Sequence, residues 1–336
     1  MNRRPLGLVA ALLWVLNLLR LARRTRPEPL PPAPAGSTTV VTADGTALHV
    51  QVGGLPHGEL TMVFAHGFLA RTLEWDMQWQ HFSDKARLVR YDHRNHGRSG
   101  RTTRTITLRT LAQDLAEVIR QTTPTGPVLL VGHSMGGMTV LGLALEEPDL
   151  FRDRVLAVAL LASGAGHYLD ERRWENVFRW TARRHLLALQ LSLLRLLAPG
   201  LELIRPRRTR VMRRATRRLL FGSQDADPAT VAMTQDLLEG PPLSTLASLQ
   251  GSLLRNDGLR ALESLGTKPV LVLTGADDRL IRAEHSRRMA ADIGPSAELV
   301  IVEGAGHVVN QTRPAETNAA LERLRRRAVQ MSYAAI

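Results

Sequence analysis

The sequence contains no cysteine. Disulfides and thiolate metal sites are thereby excluded, while the compartment stays open. Acidic residues are in deficit, 31 Asp and Glu against 44 Lys and Arg, for a formal charge of +13. Such a surplus would point to nucleic acid if it lined a groove. It does not spread: residues 171–218 hold fourteen Arg against three Glu, and residues 1–36 hold six Arg against one Glu. The rest of the chain sits near −3, an ordinary surface, and no nucleic-acid partner is expected. Long apolar runs are scarce as well. Pro5 to Leu19 is apolar except for Asn17 and has arginines on both sides. Fifteen helical residues span about 23 Å, short of a ~30 Å hydrocarbon core. Arginines follow where a signal peptide would carry small residues for cleavage, so removal is not expected. Residues 1–36 are therefore read as a membrane-anchor segment with a proline-rich tether, the tether (27–34) spanning about 25 Å. The heavier arginine cluster on the C-terminal side favours a cytoplasmic position for the remainder. Arg3-Arg4 leaves export as the alternative. The expectation is a transmembrane helix and a membrane-associated protein.

What is present points to chemistry. At 336 residues and 44% hydrophobic content the chain can build one large domain with an insertion. Pro127 to Val131 reads as a buried strand and Met138 to Leu145 as a helix. Between them stands Gly132-His-Ser134-Met-Gly136-Gly137. A Gly-x-Ser-x-Gly at a strand-to-helix junction is a nucleophile elbow, which lifts the serine hydroxyl clear of the sheet edge. Serine needs a base, and the base needs an orienting acid. In this architecture the order is Ser, then Asp or Glu, then His. The C-terminal third offers both. The strand Lys268 to Thr274 runs into Gly275-Ala-Asp277-Asp278, and the strand Ala297 to Val302 runs into Glu303-Gly-Ala-Gly306-His307. A closing amphipathic helix is expected over Asn318 to Val329. Asp257 is a more remote acid.

These motifs, in this order, make the chain resemble the α/β-hydrolase family over about residues 38–330, interrupted by a lid. The resemblance implies an α/β fold: a mostly parallel central sheet flanked by helices, with a helical cap inserted before the strand at 268–274. It selects Asp278 over Asp277 as the acid, three residues past the glycine, and matches Gly304-Ala-Gly-His307 for the base. An oxyanion hole needs two backbone N–H groups. Met135, after the nucleophile, supplies one. The resemblance places the other at Phe68, in His66-Gly67-Phe68 after the strand Leu60 to Ala65. That loop departs from the His-Gly-Gly-Gly form of some lipases, which weakens any inference toward bulky tertiary-alcohol esters. His66 is read as fixing the loop. Arg87 to Ser99 is similar to a family segment that braces the active-site loops, and His93 and His96 lack metal-site spacing.

The division follows as 1–36 anchor and tether, 37–166 first core part, 167–262 helical cap, and 263–336 second core part. Within the cap, His185 to Leu197 is apolar nearly all round and must be covered. Thr209 to Leu220 is a basic amphipathic segment suited either to an anionic membrane surface or to a solvated face. The expected activity is ester hydrolysis through an acyl-enzyme on a lipid-like or acyl ester, with Ser134, Asp278 and His307 catalytic. Neither metal nor organic cofactor is called for. Partners are then a small-molecule ester or lipid and a membrane surface; the oligomeric state is not legible. Epoxide hydrolases and dehalogenases carry aspartate at the nucleophile, and Tyr168 is the only tyrosine of the cap region. A cofactor-free perhydrolase, an acyltransferase or a carbon–carbon bond hydrolase could use the same triad. A tethered non-catalytic binding protein is the reading from another class.

Overall fold

A computed structural model describes residues 32–166, 242–253 and 256–334, together with residues 192, 193, 197, 220, 221 and 230. Most of the expected cap, including 185–191 and 209–219, lies outside the described residues, as does the segment 1–31.

Eight strands form one sheet: β1 (Ser37–Val41), β2 (Ala47–Gly54), β3 (Thr61–Ala65), β4 (Arg87–Tyr91), β5 (Val128–His133), β6 (Val155–Leu161), β7 (Val270–Gly275) and β8 (Ala297–Val302). Their spatial order is β1-β2-β4-β3-β5-β6-β7-β8. β2 runs antiparallel to both its neighbours, and every pair from β4 to β8 is parallel. The central strands are buried at every position because helices cover both faces. That is why β3, β5 and β7 read as continuous apolar runs.

Alternation sorts the strand residues between two cores. Val63, Val128, Leu130, Val158, Leu160 and Val272 face one side, where they meet α2 (Leu108–Thr122), α3 (Met135–Glu146) and α4 (Pro148–Arg154). Met62, Phe64, Leu129, Val131, Leu271 and Leu273 face the other, where α1 (Asp76–Phe82) and the terminal helix lie. Each fully buried Leu or Val contributes about 1.5–3 kcal/mol of transfer free energy. Further helices are α5 (Leu243–Leu253), α6 (Leu262–Leu265), α7 (Ala283–Ile293), α8 (Val309–Thr312) and α9 (Pro314–Ala334). In α9, Ala320, Leu321, Leu324 and Ala328 recur on one stripe and are buried against the sheet. The Thr107 hydroxyl caps α2 by accepting the Thr110 N–H.

The hairpin of β1 and β2 was not anticipated. Its turn is built by Thr42, Asp44 and Gly45, with Gly45 at φ +83° and its N–H donated to the Thr42 carbonyl.

The membrane expectations are corrected. Among the described residues no helix is long and apolar enough to cross a membrane. The longest, α9, has 21 residues but carries Glu322, Arg323, Arg325, Arg326 and Arg327 on its outer side. Its stripe of Ala320, Leu321, Leu324 and Ala328 is packed on the sheet. The transmembrane helix and the membrane-associated location are withdrawn.

Candidate active site

Ser134 sits between β5 and α3 with φ 52° and ψ −115°. A non-glycine residue held there stores about 1–3 kcal/mol of backbone strain, so its surroundings must enforce it. They do. The Ser134 N–H donates to the Leu161 carbonyl at 2.9 Å, and the Ser134 carbonyl accepts from the Gly137 and Met138 N–H groups. The Ser163 hydroxyl donates to the same carbonyl at 2.8 Å. The glycines around the serine are dictated by space. A Cβ on Gly132 would stand 2.5 Å from the Gly136 backbone, and one on Gly136 only 2.0 Å from the Ala65 carbonyl oxygen.

Two loops at the C-terminal ends of β7 and β8 complete the arrangement. His307 Nδ1 lies 2.8 Å from Asp278 Oδ2, and His307 Nε2 lies 2.9 Å from Ser134 Oγ. The carboxylate accepts, so the imidazole proton sits on Nδ1 and leaves Nε2 to accept the serine hydroxyl. Asp278 Oδ1 accepts the N–H groups of Leu280 and Ile281 at 2.8 and 2.9 Å. That fixes the carboxylate plane. Asp278 and His307 are each 5% exposed and Ser134 9%, so little water competes within the chain of bonds. Asp277 is half-buried, with its N–H on the Ala305 carbonyl. Asp257 is exposed and pairs with Arg260.

Met135 opens α3, so its N–H has no acceptor one turn back. Phe68 follows Gly67, whose added Cβ would stand 3.5 Å from Ser134 Cβ. Neither N–H donates within the turns and loops described. The Phe68 and Met135 side chains share one apolar cluster. The structure thus brings all five expected site residues to one end of the sheet.

The segment after β4 is structural in its contacts. Asp92 accepts the Thr72 and Arg98 N–H groups, and Arg94 Nε donates to Asp114 Oδ2 at 2.6 Å. His66, His93 and His96 cluster in the interior, the His66 ring edge to face with His93 and tilted against His96. Burial drives all three imidazoles below the ordinary histidine value, His96 to about 3. Among the described residues no group of three or more side chains is placed to hold a metal ion.

Two buried residues beside the site went unread in the sequence, Glu74 and His133. His133 was visible inside the Gly132–Gly137 motif. Nothing local marks Glu74 as buried, since it stands among Arg71, Thr72 and Asp76.

The pattern of the alpha/beta hydrolase fold family matches residues 61–314. The chain belongs to that family. It is 28% identical over 248 residues to the pimeloyl-[acyl-carrier protein] methyl ester esterase of Nitrosomonas europaea, covering 73% of this chain and 88% of that one. It is 27% identical over 280 residues to the dihydrolipoyllysine-residue acetyltransferase component of the acetoin cleaving system of Pseudomonas putida, covering 80% of this chain. There it spans only 63% of the relative's length. A solved thermophilic esterase from Thermogutta terrifontis superposes with a TM-score of 0.69 at 22% identity, over 88% of this chain and 99% of that chain, a likeness of fold. Fold and relatives together support a hydrolase enzyme.

Proposed function

We propose that the protein is a serine ester hydrolase that acts through an acyl-enzyme on small-molecule acyl esters. The observation that carries this reading is the unbroken chain from Asp278 through His307 to the strained Ser134. Ser134 Oγ attacks the ester carbonyl while its proton passes to His307 Nε2. Asp278 holds the imidazole tautomer and stabilises the imidazolium that forms. The developing oxyanion is taken by the Met135 and Phe68 N–H groups. As the tetrahedral adduct collapses, His307 returns the proton to the leaving alcohol. Water, deprotonated by His307, then attacks the acyl-enzyme, and a carboxylic acid leaves with Ser134 restored. The relationship to a methyl ester esterase supports an ester as substrate.

Ser134→Ala should lower turnover of a soluble p-nitrophenyl ester by as much as ~10⁶-fold, as when triad members act as a unit. Folding should be unchanged by circular dichroism. A variant that stays within about tenfold of wild type would remove Ser134 from the mechanism.

A further inference from the structure

Behind the Ser134–His307 pair lies a second acid–imidazole pair that the ester mechanism does not use. Glu74 and His133 have side chains 1% and 4% exposed, and Glu74 Oε1 meets His133 Nδ1 in an ion-pair contact. Nδ1 has no other partner. His133 Nε2 lies 2.9 Å from the backbone carbonyl oxygen of His307. A carbonyl only accepts, so Nε2 bears a proton. Glu74 Oε2 accepts the Gly67 N–H at 2.8 Å, and Asn310 Nδ2 approaches Oε1 at 3.3 Å.

The proton between Glu74 and His133 decides the character of the pair. It is either imidazolium with carboxylate or imidazole with carboxylic acid. Gly67, Asn310 and His133 all turn toward the carboxyl oxygens, and converging donors favour the ionised form. Burial pushes the His133 imidazole down, yet the Glu74 carboxylate beside it holds it above the ordinary histidine value. Burial likewise pushes Glu74 up, and His133 brings it below the usual carboxylate value. The other titratable groups facing the pair are Asp278, which favours the His133 cation, the buried His66, and His307, whose ring lies beside that of His133.

Space confirms how closely the parts are stacked. A Cβ on Gly67 would stand 2.7 Å from His133 Nδ1, and the His133 and His307 rings are 5.0 Å apart. Glu74 therefore holds the loop that carries the Phe68 N–H. His133 immediately precedes Ser134 and holds the backbone of His307. Three segments far apart in sequence meet on two side chains.

We propose that Glu74 and His133 are positioning residues, a buried carboxylate–imidazolium clamp that sets the oxyanion loop, the nucleophile and the base in register. The proposal rests on Ser134 being the nucleophile. Both side chains are buried, so neither is placed to touch substrate. Each arm of the clamp is a charged group bonded to backbone, so removing one partner strands the other in a dry interior.

The test uses the full chain. Glu74→Ala leaves His133 Nδ1 and the Gly67 N–H unpartnered. Glu74→Gln keeps the shape: its amide can donate to Nδ1 of a neutral His133 and accept from Gly67. Asn310 Oδ1, buried without a partner, can turn to face the new amide. Glu74→Ala should lower kcat on a soluble ester by about 10²-fold with KM within about threefold, the scale of a small misplacement of reacting groups. Glu74→Gln should recover kcat to within about tenfold of wild type, because the hydrogen bonds persist without the charge. Imidazole ¹⁵N spectra of the wild type should show both His133 nitrogens still predominantly protonated at about pH 6.5, where an ordinary histidine is half neutral. In Glu74→Gln they should show a single neutral tautomer. A fluorophosphonate that fails to label Ser134 in the wild type would overturn the esterase reading itself. If Ser134 is labelled, the clamp is overturned by a folded Glu74→Ala that keeps kcat within about threefold. A Glu74→Gln loss as large as that of Glu74→Ala would overturn it too. So would a neutral His133 in the wild type at about pH 6, and that spectrum decides the matter should Glu74→Ala not fold.

Discussion

Asp277 and Asp278 are adjacent, chemically identical, and separated by what the backbone does with them. The turn after β7 aims Asp278 at His307 Nδ1 and at the Leu280 and Ile281 N–H groups, while the Asp277 N–H is tied to the Ala305 carbonyl. Asp278→Asn should then cost on the order of 10⁴ in kcat, because an amide in that place selects the wrong imidazole tautomer. Asp277→Asn should stay within about tenfold of wild type on the same soluble ester. The reverse ranking would move the acid by one residue. At this scale the sequence was legible where geometry forces composition. Gly132, Gly136 and Gly137 frame Ser134 because a side chain there would strike backbone or Ser163. Asp278 could be told from Asp277 only through the spacing the family shares. Glu74 was illegible because its burial is created by His133 and Asn310, residues from distant segments that no local pattern reveals.

Strands were the easiest elements to read. β3, β5 and β7 are covered on both faces and so appear as unbroken apolar runs. β1 escaped notice because it lies at the sheet edge and buries little but Val40. The start of α3 was placed at Met138, whereas the helix begins at Met135. Gly136 and Gly137 argue against helix by intrinsic propensity, at roughly 1 kcal/mol each relative to alanine. Tertiary packing overrides that preference, because only glycine lets the first turn approach Ala65 and Ser163. α9 runs from Pro314 to Ala334 around the expected Asn318 to Val329, its stripe at helical spacing having been the legible part. The membrane-spanning helix was the misreading. Among the described residues no helix is long and apolar enough to cross a membrane, and the apolar run Pro5 to Leu19 lies outside them.

For the whole molecule, the buried histidines couple folding to pH. His66, His93 and His96 are held below the ordinary value by burial, and His96 titrates at about 3 in the folded protein. Above about pH 6.5 both folded and unfolded forms carry them neutral, and no stability depends on them. Below that value the unfolded chain binds protons that the native state refuses. Between its unfolded and folded values each such group then removes up to about 1.4 kcal/mol of stability per pH unit. His133 works in the opposite direction. Its raised folded pKa adds stability that is present below the unfolded value and lost as pH rises through the folded one. Urea midpoints should therefore fall between about pH 7 and about pH 5, the three neutral imidazoles outweighing the single cation. His96→Gln, which can still donate to the Arg94 carbonyl, should make that dependence shallower by about 1.4 kcal/mol per pH unit. An unchanged slope would show that His96 takes up its proton without unfolding.

The fold and the family both converge on the end of the sheet where Ser134 meets His307. Rapid acid quench of the enzyme with a slowly deacylating ester, followed by peptide mass analysis, tests the covalent step directly. The account predicts one acyl group per chain, on the peptide containing Ser134, appearing in a burst together with the released alcohol and absent from Ser134→Ala. Turnover of the ester with no acyl group on any peptide, or with the acyl group on another residue, would contradict it.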